Sequence, residues 1–161
     1  MLPLHIVGHA GCGKTTLIVD LVKALVQKNI RVGTIKHSAH IHELDKPGKD
    51  SFRHRTAGAA PVTMVTGQMS AIYLPRTEDT CPEKLLETYY KDVDIVLIEG
   101  WISGPFQKIE VWRESMGEAP LFTGIENVKA LVSNDIVQET DLPIFPRSNI
   151  DQLVNFIITL V

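Results

Sequence analysis

The residues whose types and spacing most clearly indicate a chemical role are the glycines, lysine and threonine of residues 8–15, which read GHAGCGKT. Their spacing fits G-x-x-x-x-G-K-[ST] at every fixed position, the pattern of a loop whose backbone N–H groups surround phosphate. Lys14 would reach the β- and γ-phosphates of a nucleotide, and the Thr15 hydroxyl would bind Mg²⁺. The predicted phosphate-binding residues are Gly8, His9, Ala10, Gly11, Cys12, Gly13, Lys14, Thr15 and Thr16.

A magnesium site at this loop needs an acidic partner, and Glu99 fits that role. It ends the apolar run IVLI at residues 95–98, directly before a glycine. An acid at the carboxyl end of a buried strand can hold Mg²⁺ directly or through water. Thr15 and Glu99 are therefore the predicted metal ligands, whereas Asp94, at the start of the same run, is expected at the opposite end of the strand.

The stretch KHSAHIHELDKPGKDSFRHR, residues 36–55, is rich in basic residues and histidine, although the whole chain has a net charge of -3. It is predicted to form a mobile loop beside the phosphates, where its lysines and arginines would meet negative charge. Zinc at its histidines is the weaker interpretation, because no cysteine joins them. The catalytic candidates are Asp45 and Asp50, which could order water or Mg²⁺, and Arg53 and Arg55, of which one could contact the ligand.

These residues require a strand before the glycine loop and a helix after it, and the sequence predicts both. Apolar residues recur at helical spacing from Lys14 to about Asn29, between a short strand at 4–7 and a second strand at 31–36. This order of elements gives parallel strands. Further helices are expected at 50–59, at 82–91 and after Asn149 or Asp151, and further strands at 61–66, 70–75, 93–100, 106–113, 128–135 and 143–146. The predicted fold class is α/β, a P-loop NTPase-like three-layer sandwich with a mostly parallel central sheet, some antiparallel strands and one domain over residues 1–161.

Composition places the chain among globular proteins of ordinary domain size. It has 161 residues, 44% of them hydrophobic and 22% charged, so a sizeable core is expected. The net charge of -3 and the confinement of basic residues to one segment argue against nucleic acid as a partner. The chain has two cysteines without a C-x-x-C pattern, which favours a reducing compartment. It has no signal-peptide pattern and no apolar stretch of about 18 residues. We therefore predict a cytoplasmic protein without a membrane partner.

Four segments together resemble the MobB family, the molybdopterin-guanine dinucleotide biosynthesis proteins B. They are GHAGCGKTTL at 8–17, GTIKHSAH at 33–40, DKPGKDSFRHRTAGA at 45–59 and VLIEGW at 96–101. Many families share the first segment, so the resemblance depends chiefly on the second and third. It covers residues 4 to about 104 and continues weakly to the end of the chain through PIFPRSNIDQLVNFI.

The resemblance implies a P-loop GTP-binding protein that forms homodimers, binds Mg²⁺ with GTP and hydrolyses GTP slowly. It implies an accessory role in molybdenum cofactor biosynthesis, in which a MobA-type guanylyltransferase attaches GMP to molybdopterin. The expected partners are GTP, molybdopterin or the molybdenum cofactor, and that transferase. Carried over by position, the family's phosphate site falls on Gly8 to Thr16, its acidic metal motif on Glu99-Gly100 and its basic loop on Lys36 to Arg55. Candidate dimer-forming edges are the strands at 61–74 and 106–113.

The residues alone do not decide between GTP and ATP. A carboxylate that accepts from the guanine N–H groups is expected after a late strand, where LVSNDIV supplies Asp135, but no N-K-x-D pattern is present. Asp135 is the predicted base-contacting residue. Two other functions remain open, a small-molecule P-loop kinase and another metal-cofactor maturation GTPase, such as a nickel-insertion type. The second would use a metal group made of His37, His40 and His42.

Overall fold

The structure, a computed structural model, describes residues 1–77 and 80–160. Contacts divide the chain into two compact units, one of Met1–Ser38 with Leu86–Val161 and one of Ala39–Leu85. The single domain expected over the whole chain stays a prediction, because a division by contacts does not test whether the units fold separately. The elements in chain order are β1 (Leu2–Val7), α1 (Lys14–Gln27), β2 (Val32–Lys36), α2 (Asp50–Thr56), β3 (Val62–Val65), β4 (Ser70–Tyr73), α3 (Pro82–Tyr89), β5 (Ile95–Glu99), β6 (Gln107–Val111), β7 (Val128–Val132), β8 (Ile144–Phe145) and α4 (Ile150–Ile158), with 3₁₀ turns at Glu114–Met116 and Leu121–Thr123.

The first unit is built on a six-stranded sheet in the order β2-β5-β1-β6-β7-β8. Each neighbouring pair of strands in this sheet is parallel, and the predicted antiparallel pair forms a separate two-stranded sheet. The α/β prediction with a mostly parallel sheet is therefore confirmed. The prediction that residues 106–113 form a dimer edge is wrong, because β6 is hydrogen-bonded to β1 on one side and β7 on the other.

The main core lies between this sheet and helices α1 and α4. Leu17, Leu21 and Leu25 recur at helical spacing on α1 and are fully buried, and burial of each such side chain contributes about 1.5–3 kcal/mol. Helix α4 begins with Asn149, whose side chain accepts a hydrogen bond from the Gln152 N–H at 3.2 Å. Of the two predicted caps, Asn149 is thus the correct one. In the described part of the chain, no helix is long and apolar enough to cross a membrane.

A loop covers β1 on the side that faces away from α1. The chain passes from β5 to β6 across β1, because β1 lies between these two strands. Gly104 of this loop packs so closely on His5 that a Cβ there would lie 2.1 Å from the imidazole Cε1. The Lys108 ammonium donates to the Gly104 carbonyl oxygen at 2.8 Å. The loop 100–106 is therefore held against the central strand without a helix.

The second unit packs α2 against the hairpin of β3 and β4. Val62 is its buried apolar anchor, and Thr66 closes the turn because its N–H donates to the Met69 carbonyl oxygen at 2.9 Å. The strands predicted at 61–66 and 70–75 are confirmed, and they pair as an antiparallel hairpin. Helix α2 has Lys49 as its N-cap and Asp50 as its first residue, so it begins where the helix at 50–59 was predicted to begin.

Candidate functional site

The glycine loop lies between β1 and α1, and two of its glycines adopt backbone conformations that favour a residue without a side chain. Gly8 has φ of +140° and Gly13 has φ of +101°, values that residues with a side chain rarely adopt. A Cβ on Gly8 would lie 2.3 Å from the Val111 carbonyl oxygen, so no larger residue fits there. Lys14 Nζ donates to the carbonyl oxygens of Gly8 at 2.8 Å and His9 at 2.7 Å, which closes the loop.

Helix α1 begins directly at this loop with an N-terminus that suits an anion. Gly13 is its N-cap residue, and no side chain caps the first turn. The first N–H groups of a helix lack partners within the helix and form the positive end of its dipole, which attracts phosphate. Cys12 is 1% exposed and belongs to the core, so its thiol is not available to a bound phosphate.

The predicted metal ligands, Thr15 and Glu99, lie in contact. Thr15 Oγ1 donates a hydrogen bond of 2.8 Å to Glu99 Oε1, and Lys36 Nζ lies 3.2 Å from the same oxygen. Glu99 and Lys36 are register partners at the carboxyl ends of β5 and β2. A hydroxyl and a carboxylate beside a phosphate cradle are the oxygen ligands that Mg²⁺ prefers, so the residues present fit this ion.

Arg113 is a candidate functional residue that the sequence interpretation missed. It follows β6, and a Cβ on Gly13 would approach its Nη2 to 2.8 Å, so the guanidinium lies against the glycine loop. With Ser133, Asn134 and Arg147 it lines a cavity of about 200 Å³ at the carboxyl ends of β6 and β7. No local pattern indicates Arg113, because its approach to the loop depends on β6 lying beside β1 in the sheet.

Asp135, the predicted base-contacting residue, lies in the loop after β7, directly after Asn134 of the cavity lining. Its Oδ2 accepts a hydrogen bond of 2.9 Å from the Glu114 N–H, so one carboxylate oxygen already fixes the turn after β6. The neighbouring Asn134 Oδ1 accepts from the Arg147 N–H at 2.8 Å, and the Arg147 guanidinium pairs with Asp20. These bonds hold the loops after β7 and β8 against α1, and the contact of Asp135 with a base stays a prediction.

A segment between β6 and β7 is anchored next to the glycine loop. Glu110 is fully buried and accepts hydrogen bonds from the N–H groups of Leu121 at 2.6 Å and Phe122 at 2.9 Å. Burial raises the pKa of Glu110, and these two hydrogen bonds offset part of that increase. His9 Nε2 lies 3.0 Å from the Ala119 carbonyl oxygen, which connects the segment to the phosphate cradle.

The four catalytic candidates lie in the second unit; they are Asp45, Asp50, Arg53 and Arg55. Asp45 is buried, and its Oδ1 accepts from the Lys46 N–H at 2.7 Å and the Ser51 hydroxyl at 3.0 Å. Arg55 forms an ion pair with Glu43 and lowers the pKa of that carboxyl group. Asp45 and Arg55 therefore stabilise their own unit, and a catalytic role for any of the four stays a prediction.

The three-histidine metal site considered above does not form. Across residues 1–77 and 80–160, no three His, Cys, Asp or Glu side chains are grouped so that they could hold a metal ion. His37 instead stacks on Trp101, with ring centroids 4.5 Å apart, and its Nδ1 lies 3.4 Å from the Gly100 carbonyl oxygen. His40 and His42 contact each other edge to face in the second unit.

Comparisons with known proteins agree with one another. Residues 3–134 match MobB, described as molybdopterin guanine dinucleotide synthesis protein B. The chain is similar to the molybdopterin-guanine dinucleotide biosynthesis adapter proteins of Haemophilus influenzae, with 35% identity over 96% of this chain and 86% of that protein, and of Escherichia coli, with 32% identity over 98% and 93%.

Solved structures extend this similarity to the fold. A crystal structure of molybdopterin-guanine biosynthesis protein B matches with a TM-score of 0.78 and 26% identity, covering 99% of this chain and 100% of that one. Bacillus subtilis MobB matches with a TM-score of 0.79 over 100% and 98% of the two chains, and at 23% identity this match bears on the fold alone. The resemblance seen in the residues is confirmed, and the chain belongs to the MobB family, the molybdopterin guanine dinucleotide synthesis proteins B.

Proposed function

We propose that the protein is a GTP- and Mg²⁺-binding adapter in the biosynthesis of molybdopterin-guanine dinucleotide. The observation that carries this proposal is the 2.8 Å contact of Thr15 with Glu99 at the start of α1, beside a glycine loop closed by Lys14. The pathway comes from the relatives, which are named as adapter proteins of that biosynthesis. Family membership favours this function over a small-molecule kinase and over a nickel-insertion GTPase.

In this proposal each residue at the loop has one task. The loop N–H groups and Lys14 would hold the β- and γ-phosphates, and Thr15 and Glu99 would supply oxygen ligands to Mg²⁺. Lys36 is the cation beside Glu99 in the free protein. With Mg²⁺ bound at Glu99, the Lys36 ammonium would be free to face the terminal phosphate.

The cavity of about 200 Å³ next to Arg113 would receive the ribose and base. It lies at the carboxyl ends of parallel strands, where nucleotides bind in open α/β sheets. Asp135 follows the cavity-lining Asn134 and is the proposed acceptor for the guanine N–H groups. This assignment makes GTP the preferred nucleotide, although the chain lacks the N-K-x-D pattern.

Slow hydrolysis suits an adapter, because a nucleotide that persists can hold the protein in one state for its partner. The proposed partners are a MobA-type guanylyltransferase, which attaches GMP to molybdopterin, and molybdopterin itself. We place this activity in the cytoplasm. Cys12 and Cys81 are both free thiols, which is typical of proteins in a reducing compartment.

We further propose that the protein is a homodimer that uses the β3–β4 hairpin. Val65 and Ile72 are 72% and 52% exposed, and the pairing of Thr63 with Ile72 and Val65 with Ser70 places them on one face. Exposed apolar side chains grouped on one sheet face are typical of interaction surfaces. Val65→Glu with Ile72→Glu is expected to yield a monomer by light scattering, whereas Gln68→Glu at the turn should leave the mass unchanged; an unchanged mass for the double variant would exclude the hairpin.

A nucleotide titration tests the central proposal. GTP is expected to bind more tightly than ATP, and its affinity should rise with Mg²⁺ and fall with a chelator. The same titration with molybdopterin and the guanylyltransferase should show a ternary complex that depends on GTP. Equal affinity for GTP and ATP would contradict the proposal, as would a GTP affinity that does not depend on Mg²⁺.

A further inference from the structure

A second cavity lies on the side of the sheet that faces away from α1. Its volume is about 580 Å³ and its lining residues all belong to the first unit, a size typical of small-molecule sites. Lys108 lines it, and Lys108 alternates along β6 with Ile109, which packs in the core with α1. In the described chain, none of the lining residues comes from the glycine loop, so the cavity is separate from the phosphate cradle.

Lys108 gives this cavity a buried positive charge. The residue is 3% exposed, and its ammonium donates to the carbonyl oxygens of Gly104 at 2.8 Å and Phe106 at 3.5 Å. An ammonium has three N–H donors, so one remains for a ligand. Burial lowers the pKa of Lys108, and the negative charge of Glu126 opposes that shift. Buried charges are normally paired, yet among the described residues no carboxylate lies within salt-bridge distance of Lys108.

The lining of the cavity also includes an indole ring and a carboxylate. Trp101 is partly buried and lines the cavity while His37 stacks against its ring, which fixes the indole in place. Glu126 also lines the cavity, is exposed, and precedes Asn127, whose Nδ2 donates to the Pro105 carbonyl oxygen at 3.3 Å. The cavity thus offers the flat surface of the indole together with a carboxylate and an ammonium. The Glu126 carboxylate is close enough to raise the pKa of Lys108 through its charge.

We propose that this cavity binds the 2-amino-4-oxopyrimidine edge of a pterin. The Glu126 carboxylate would accept hydrogen bonds from the 2-amino group and the adjacent ring N–H, the Lys108 ammonium would donate to the 4-oxo oxygen, and the bicyclic ring would pack against Trp101. Guanine carries the same edge. The choice of pterin rests on the proposed function, in which the guanine nucleotide occupies the glycine loop and the other half of the product is a pterin.

Tryptophan fluorescence tests this assignment directly. The chain has two tryptophans, so Trp112→Phe leaves Trp101 as the single reporter, and pterin is expected to quench its emission to saturation. Lumazine, the same ring with an oxo group in place of the 2-amino group, should bind at least about tenfold more weakly, because it sets an oxygen against the carboxylate. Glu126→Gln should weaken pterin binding at least about tenfold, whereas Glu118→Gln, an exposed acid of the same segment outside the cavity, should not.

Three results of the fluorescence titrations would overturn the inference. Absence of saturable quenching excludes the cavity as a pterin site, and equal binding of pterin and lumazine excludes recognition of the amino edge. Tighter binding of guanosine than of pterin would assign the cavity to guanine instead. A GTP titration on the wild-type protein reports the proposed function separately, because Trp112 lines the proposed nucleotide cavity: GTP binding without pterin binding refutes this inference alone, and pterin binding without GTP binding refutes the nucleotide site alone.

Discussion

The Thr15–Glu99 contact allows a quantitative test of the metal site. Thr15→Val keeps the branched shape of the side chain and removes the hydroxyl that donates to Glu99 Oε1 at 2.8 Å. A hydrogen bond to a charged group contributes about 1.5–3 kcal/mol, and about 1.4 kcal/mol corresponds to a factor of ten in affinity. Loss of this oxygen from the metal's surroundings should therefore cost about 10- to 100-fold in Mg²⁺-dependent GTP affinity.

The assay compares GTP binding in Mg²⁺ and in chelator for the wild type and the variant. Both proteins should bind similarly in chelator, since the Lys14 bonds that close the loop are intact, and only the wild type should gain strongly from Mg²⁺. Thr159→Val is the matched control, because that hydroxyl donates to the Phe156 carbonyl oxygen at the end of α4. If Thr15→Val retained the full effect of Mg²⁺ while losing only thermal stability, the contact would be structural and the metal assignment would be refuted.

Three further predictions concern stability and pH. Gly8→Ala should lower the denaturation midpoint strongly and abolish GTP binding, because its Cβ would lie 2.3 Å from the Val111 carbonyl oxygen; a variant as stable as the wild type would contradict the loop geometry. The hydrogen bonds from Arg31 lower the pKa of Asp94 to about 2, so the unfolded chain takes up the proton first and stability falls as pH drops from about 4 towards 2; Asp94→Asn should flatten this part of the urea-midpoint profile. Burial raises the pKa of Glu110 above its ordinary value of 4.5, so the folded chain binds the proton more tightly and gains stability as pH falls through the raised pKa towards 4.5; Glu110→Gln should lose this gain, and a parallel profile would exclude the carboxyl group as its source.

Periodicity and spacing were sufficient to predict most of the fold. The leucines of α1 recur at helical spacing, and the run ending at Glu99 is apolar throughout, so the strand–loop–helix unit and the buried strand follow from the sequence. The contact of Thr15 with Glu99 could be predicted as well, because parallel strands bring their carboxyl ends to one edge. Asp135 was less predictable, since hydrogen bonds from a distant turn decide the orientation of its carboxylate.

Other parts of the site depend on strand order, which local patterns do not encode. The sequence places β6 after β5, but only the order β5-β1-β6 makes the connecting loop cross β1. That crossing brings Gly104 against His5 and turns Lys108 into a buried anchor. Arg113 reaches the glycine loop for the same reason, because β6 is the neighbour of β1. The sequence interpretation therefore identified the glycine loop and its Thr15–Glu99 contact and missed Arg113 and Lys108, which a strand distant along the chain brings near β1.

The proposed metal site at Glu99 and the second cavity share a hydrogen-bonded segment that includes the cavity-lining His37 and Gly100, and this makes coupling between them a testable consequence. The His37 N–H donates to the Glu99 carbonyl oxygen at 2.9 Å, and the Gly100 N–H donates to that of Ile6 at 3.2 Å. Gly100 has φ of +79°, and a Cβ there would lie 2.8 Å from the His37 carbonyl oxygen, so the segment has little room to move independently. If an ion at Glu99 shifts this segment, the Trp101 wall of the second cavity shifts with it, and GTP with Mg²⁺ should change pterin affinity. By linkage, pterin must change GTP affinity by the same factor, and an unchanged pterin affinity in the presence of GTP and Mg²⁺ would exclude coupling through this segment.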